Sequence, residues 1–419
     1  MKLKNLYCIL LSVLLFWGCS DENLIYTTPD TNETSSHHVS VETAKKRLLA
    51  FVNQMSKDGE STRSTIAGID GKITSITTID KNRQPLTRSN DASAAYYVFR
   101  FGDHEGFAIM GADDRIPAML AVASGDPDSN NPDADLPDST FWTPPQINDT
   151  TSGTWTPGPD PNAPIEPIQD YTTVCSKNLI RTKWGQRSPY NDLFYTGNDN
   201  PTRNPEYRAP TACVSIAQIM TCEKFRNLVV YNTPCFDYSD TIPFEALSRI
   251  KGAAQFANNP EMSLKVAEWY RYLKGPDCLY FNFGSSGNAK LDEINNVWFV
   301  VGQLGYINGG SMHSPEYNDI VLTTLRHIHL NPINVLRNPD YKIIPAESHI
   351  LSTLEYYQMP VIIGTRFRDY FLVHNAMSFN IQPDDYYYLI NKGQDGVGDG
   401  YYYAKGLKFD DCYIFYPNK

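Results

Sequence analysis

Nowhere in the 419 residues do Lys and Arg gather into a dense run, and acidic residues outnumber basic ones by 47 to 36. That excludes a nucleic-acid partner, because phosphate contacts need a basic face. No apolar stretch reaches the roughly 20 residues that a membrane-spanning helix needs. The eight cysteines form no CxxC pair, no zinc-finger spacing and no dense disulfide framework. HExxH, Walker and dinucleotide patterns are missing as well, so nothing calls for a metal or any other cofactor. What is present fits a globular chain, with 41% hydrophobic and 20% charged residues. Its 27 tyrosines outnumber Phe and Trp together, and this amphipathic residue suits exported surfaces and peptide clefts.

At the N-terminus Lys2 and Lys4 precede an apolar run over 6–17, which Gly18-Cys19 closes. The run is too short to span a bilayer but suits the apolar region of a secretory signal. A small residue directly before Cys resembles a bacterial lipobox, which implies cleavage before Cys19 and acylation of its sulfur. Ser20-Asp21-Glu22 is similar to the acidic export tags of surface lipoproteins in some Gram-negative anaerobes. The expectation is a signal peptide at 1–18 and an exported chain at the outer membrane or cell surface. Lipid on Cys19 alone would hold it there.

Residues 19–38 are polar and without apolar periodicity, as a tether should be. Ser40 reads as an N-cap, followed by Ala44, Leu48, Phe51, Val52 and Met55 at helical spacing. Runs at 96–101 and 106–111 around Gly102-Asp103-His104-Glu105 read as a hairpin, and 116–123 as a further apolar run. Together 39–125 make a small α+β unit. Between 126 and 168 fall ten of the chain's 28 prolines, so 126–169 reads as a solvated linker or an inter-domain strap, in which Trp142 and Trp155 are candidates for docking. The remainder, 170–419, shows helical patterns at 211–225, 263–273, 315–327 and 347–357. Strand patterns follow at 361–364, 370–377, 386–391 and 400–403. Helices first and strands later point to an α+β fold rather than alternating βαβ.

With Cys8 in the signal and Cys19 as the anchor, six cysteines remain as possible working thiols. Cys213 stands apart. Thr211 is placed to cap a helix whose first turn holds it, where free N–H groups and the helix dipole favour a thiolate. Cys222 lies deeper in the same helix and reads as packed and inert. A thiolate needs a proton-transfer partner and that partner an orienting group. His37, His38, His104, His313, His327, His329 and His349 lie in tether, turn or helix-flanking positions. His374 lies inside the apolar strand Phe371–Met377, and Asn391 ends another strand seventeen residues later. Cys, His, Asn is the chain order of papain-like cysteine proteases.

These residues add up to a resemblance. Lys183-Trp184-Gly185-Gln186-Arg187-Ser188-Pro189-Tyr190-Asn191, then Thr211-Ala212-Cys213-Val214 and Ala217-Gln218-Ile219-Met220, resemble the streptopain family of cysteine peptidases. Tyr97–Phe101 and Gly106–Asp114 are similar to that family's pro-domain. The resemblance implies a papain-like peptidase domain at 170–419 behind an inhibitory pro-domain at 39–125 acting in cis, with protein or peptide substrates. It implies Cys213 as nucleophile, His374 as proton-transfer partner, Gln186 as oxyanion-hole donor and Asn391 as acceptor for the His374 N–H. Ser285, Ser286 and Gly287 are similar to a substrate-wall loop, although a plain turn explains them nearly as well.

Three departures stand against it. Ala212 takes the place of Gly, Val373-His374-Asn375 that of a Gly-His-Ala turn, and Lys392-Gly393-Gln394 that of Trp-Gly-Trp. The last removes aromatic cover over the His–Asn pair, so a second reading stands beside the enzyme: a surface lipoprotein using the same cleft to bind peptide or glycan. A third is an inhibitor that acts in trans through the small unit. Residues 393–400, rich in Gly and Asp, miss the EF-hand spacing and read as a mobile connection at the cleft rim.

Overall fold

The helix expected after Ser40 forms as α1, Val41–Lys57. A computed structural model describes residues 37–57, 72–87, 93–127, 136–145, 171–193, 209, 211–225, 242–274, 320–327, 330, 332–341, 343–365, 369–379 and 385–416. The Ser40 hydroxyl accepts the Thr43 amide at 3.2 Å and its carbonyl accepts the Ala44 amide at 3.0 Å, so the cap is real. All five apolar residues of the stripe are buried. Each large one stabilises the fold by about 1.5 to 3 kcal/mol on leaving water.

Five strands follow: β1 Ile73–Asp80, β2 Pro85–Leu86, β3 Ala94–Phe101, β4 Gly106–Gly111 and β5 Met119–Ser124. The expected hairpin is β3 against β4, with Phe101 opposite Gly106. Further on come β6 Tyr171–Thr173, α2 Thr211–Ile219, α3 Phe244–Leu247, α4 Ala253–Ala257, α5 Pro260–Lys274 and α6 Ile320–His327. The chain then forms β7 Pro332–Asn334, α7 Ala346–Ser352, β8 Val361–Gly364, β9 Tyr370–Phe379, β10 Tyr386–Asn391, β11 Gly400–Tyr403 and β12 Asp411–Phe415. This is an α+β fold. The helix expected at 211–225 stops at Ile219 and continues as turns, and the one at 347–357 passes into a π-turn, Thr353–Tyr357.

All twelve of these strands join one sheet, ordered β2-β1-β3-β4-β5-β11-β10-β9-β8-β12-β7, with β6 beside the second half of β9. The small N-terminal unit and the C-terminal part therefore share a sheet, through β5 and β11. Gly400 pairs with Ala123, Tyr401 with Val122 and Tyr402 with Ala121. A Cβ at Gly400 would collide with the Val122 carbonyl, so this seam needs glycine there. Along β8, β9 and β12 side chains alternate between two cores. Val361, Ile363, Phe371 and Val373 face the core shared with the N-terminal unit, whereas Ile362, Tyr370, Leu372 and Tyr413 face α2, α3, α5 and α6.

The segment read as a linker or an inter-domain strap is partly built into this frame as a strap. Asp126 accepts hydrogen bonds from Arg100 at 3.2 Å and His104 at 2.8 Å. Over 136–145 the chain forms a strap along residues 403–408. The Phe141 carbonyl accepts the Lys408 amide at 2.9 Å, the Thr143 amide donates to Gly406 at 2.8 Å, and the Trp142 indole donates to Tyr403 at 3.3 Å. The Phe141 ring meets Phe371 and Tyr402 edge-on at 4.8 and 5.2 Å. Two buried aromatics here outweigh a composition that favours solvent. Trp155 and the rest of 146–170 lie outside the described residues.

Phe141→Ala should cost about 3 kcal/mol, as buried Phe truncations do. Urea denaturation of the full chain measures it, and a loss below about 1 kcal/mol would show the strap to be only draped on the surface.

Candidate active site

Cys213 is the third residue of α2 and is fully buried. Thr211 is the first helical residue rather than an N-cap. Its hydroxyl instead accepts the Tyr370 amide at 2.9 Å, and Ser215 donates to the Tyr370 carbonyl at 2.9 Å. These two bonds dock the Cys213 helix across the start of β9, the strand that carries His374. The Cys213 thiol donates to the Tyr270 carbonyl at 3.7 Å, beneath packed rings of Trp184, Tyr190 and Tyr270. Burial and the neighbouring Cys213 and Tyr190 hold the Tyr270 phenol neutral. Two other described thiols are held protonated. Burial pushes Cys175 up to about 12 and raises Cys412 as well, so neither ionises near neutral pH.

His374 follows the β9 alternation onto the face of Tyr370 and Leu372. It is also the extra residue of a bulge: Leu389 pairs with Asn375 and Ile390 with Val373, which leaves His374 without a partner across the ladder. The imidazole is buried and its Nδ1 has no hydrogen-bond partner. Burial first, and the Lys183 charge second, push it down to about 3, so the ring is neutral at physiological pH. A protonated His374 beside a thiolate is not the state seen here.

The expected Asn391–His374 hydrogen bond is absent, and the reason is local. Asn391 Oδ1 accepts from Gln218 Nε2 at 3.1 Å and from the Gly393 amide at 2.9 Å. Its Nδ2 donates to the Thr182 carbonyl at 2.7 Å and to Gln218 Oε1 at 3.1 Å. Both amide atoms of Asn391 are thus engaged, and two donors already compete for its Oδ1. Gln186 is half-buried on the loop that follows Trp184; its carbonyl accepts the Ala209 amide at 2.7 Å, two residues before α2 begins. The loop is thus held beside the Cys213 helix. Ser285, Ser286, Gly287 and Cys19 lie outside the described residues.

The Gly- and Asp-rich connection at 393–400 is not the mobile rim expected. Most of it is buried, and its turn is built on left-handed residues at Gly393, Asp395, Gly396 and Gly398. Ser124, at the end of β5, donates its amide to the Asp399 carbonyl at 2.9 Å and accepts the Gly398 amide at 2.7 Å. The Asp399 carboxyl accepts the Lys392 amide at 2.7 Å; burial pushes it up to about 6 against the pull of Lys183 and Lys392. Lys392, where the resembled family carries Trp, is itself buried, with its ammonium 4.9 Å from the Phe141 ring centroid. The strap restores one aromatic surface to this position. Sequence reasoning missed this contact and the role of Gln218; the one available signal was a polar residue in an otherwise apolar helical run. Among the described residues no His, Cys, Asp and Glu cluster could hold a metal ion.

Known proteins add two findings and one blank. No curated protein matches the chain. A fragment of Prevotella intermedia prointerpain A aligns with 81% of this chain and 98% of its own length, at 16% identity and a TM-score of 0.42. A score that low does not by itself establish a common fold. The Spi protease inhibitor family model matches residues 36–136, which hold α1, β1 to β5 and the first residue of the strap. Over residues 36–136 the chain is therefore similar to the Spi protease inhibitor family, which supports the resemblance to the streptopain pro-domain.

Proposed function

We propose that the chain is the zymogen of a papain-like cysteine endopeptidase, exported and anchored through lipid on Cys19. The observation that carries the reading is an inhibitor-family unit joined by one sheet to a part in which the Cys213 helix docks on the His374 strand. In the active form His374 takes the Cys213 proton and the thiolate attacks a peptide carbonyl carbon. Gln186 and the Cys213 amide stabilise the oxyanion. The C–N bond breaks, His374 returns the proton to the leaving amine, and water then hydrolyses the thioester to regenerate the thiol.

The arrangement described above is the resting one: the thiol is capped by Tyr270, His374 is neutral and Asn391 is held elsewhere. Ser124 links this state to the inhibitory unit, because it staples the turn that begins one residue after Asn391. Separation of β5 from β11 would free that turn. A cut within 146–170 parts the peptidase from Cys19 and leaves the strap joined to the inhibitory unit, so the strap departs with that unit.

Cys213→Ala should abolish hydrolysis of a peptide substrate while the protein still folds. His374→Ala should cost about 100- to 10,000-fold in kcat, and Asn391→Ala less, because orientation is worth less than proton transfer. Wild-type turnover by Cys213→Ala would rule out the mechanism and leave a binding module.

Cutting at a site engineered within 146–170 should raise the hydrolysis rate and move the peptidase fragment from the membrane to the soluble fraction. Equal rates from cut and intact chain would remove the case for a zymogen.

Acid should destabilise the resting fold through His374. Its folded value near 3 lies below the ordinary 6.5, so between these pH values the unfolded chain binds a proton that the folded one refuses. Stability is full above pH 6.5 and falls as pH drops toward 3. Asp399, raised from 3.8 to about 6, acts in the opposite sense between those two values. Comparison with His374→Gln isolates the first effect. From pH 7 to 4.5 the wild type should lose about 2 to 3 kcal/mol more than the variant in urea denaturation. Parallel losses would mean that His374 is not buried neutral.

A further inference from the structure

Gln218 is a buried amide in a helix whose other residues are mostly apolar, and no step of the mechanism uses it. Its Oε1 accepts the Trp184 amide at 3.1 Å, the Thr182 hydroxyl at 3.0 Å and Asn391 Nδ2 at 3.1 Å. Its Nε2 donates to Asn391 Oδ1 at 3.1 Å. Backbone groups fix the orientation of both side chains. The Trp184 N–H can only donate, so it faces Oε1; the Thr182 carbonyl can only accept, so it faces Asn391 Nδ2. Neither amide can flip without leaving a buried backbone group unpaired, which is costly in a dry site.

Three segments meet on this one side chain. Gln218 shares a rigid nine-residue helix with Cys213. Trp184 stands two residues before Gln186, and Asn391 ends the strand that pairs beside His374. We propose that Gln218 is a positioning residue of the active site. It holds the Gln186 loop and the Asn391 side chain in register with the Cys213 helix, and it withholds Asn391 from His374 in the resting state. The proposal rests on the peptidase reading. Two donors already on Asn391 Oδ1, Gln218 Nε2 and the Gly393 amide, compete with an imidazole N–H for it, so assembly of the His374–Asn391 pair is favoured when one of them lets go. The Gly393 amide belongs to the turn that Ser124 staples, so it is the donor that release of the inhibitory unit frees. Gln218 then keeps Asn391 aimed while Oδ1 accepts the imidazole N–H.

The test uses the full chain from Cys19, cut in its linker, with Gln218→Met and Gln218→Glu. Met keeps the volume and removes all four hydrogen bonds; Glu keeps the acceptor for Trp184 and loses the donor to Asn391. Two readouts are needed: steady-state hydrolysis and hydrogen exchange at the Trp184 amide, with amides of β12, in the same C-terminal part, as the control for global stability. In Gln218→Met, kcat should fall at least about 10-fold with KM within about twofold, and Trp184 exchange should quicken about 10-fold while β12 is unchanged. In Gln218→Glu, Trp184 protection should return but kcat should not. Unchanged kcat and Trp184 exchange in Gln218→Met would overturn the proposal. So would equal acceleration at β12, which marks a merely structural residue. Hydrolysis that survives Cys213→Ala defeats the peptidase reading instead, and Trp184 exchange still decides whether Gln218 holds the loop.

Discussion

The pairing of β5 with β11 is the constraint on which the rest of this structure depends. Three residue pairs, from Gly400–Ala123 to Tyr402–Ala121, turn two α+β parts into one sheet. Their position matters more than their number. β11 is the neighbour of β10, β10 ends at Asn391, and the turn between them is pinned by Ser124. In the proposed zymogen an inhibitory unit attached elsewhere could block a cleft, whereas attached here it also fixes the backbone beside Asn391. Control of the proposed site through the backbone follows from this placement.

The chemistry of the resting site is consistent with that control. Taking His374 out of water lowers its affinity for a proton, and Lys183 lowers it further, so no ion pair with a thiolate can form. Buried polar groups nearby are satisfied by one another: Gln218 by Asn391, Thr182 and Trp184, and Asp399 by Lys392. Exceptions among the described residues include His374 Nδ1 and the Tyr270 hydroxyl. An unpaired nitrogen in a dry bulge is a cost the fold bears, and a change of partner at Asn391 is the nearest way to relieve the imidazole.

Much of the local structure could be read from the sequence. Ser40 with its apolar stripe gave α1, and the runs around Gly102-Asp103 gave β3 and β4. The strands at 361–364, 386–391 and 400–403 have the expected bounds, because apolar runs between turn residues leave little choice. β1 was not legible: Ile73–Asp80 is rich in Thr and its buried residues do not alternate. Nor was the seam, since pairing between strands distant in sequence leaves no local mark. The strap was half legible: Trp142 marked it as a docking candidate, but ten prolines left a solvated linker equally open, and the part played by Phe141 was not visible. At the site, sequence order brought the Cys213 helix and the His374 strand together. It could not show that Asn391 would spend its lone pairs on Gln218 and Gly393, which depends on three segments meeting.

The central claim is that one buried thiol becomes a nucleophile once the inhibitory unit lets go. The most direct measurement is covalent labelling by a thiol-directed, peptide-like inhibitor, with mass spectrometry on the intact and the linker-cut chain. The account predicts a single label on Cys213, formed readily after cutting and slowly before. No label on Cys213 in the cut chain, or equal labelling of Cys175, Cys222 and Cys412, would contradict it.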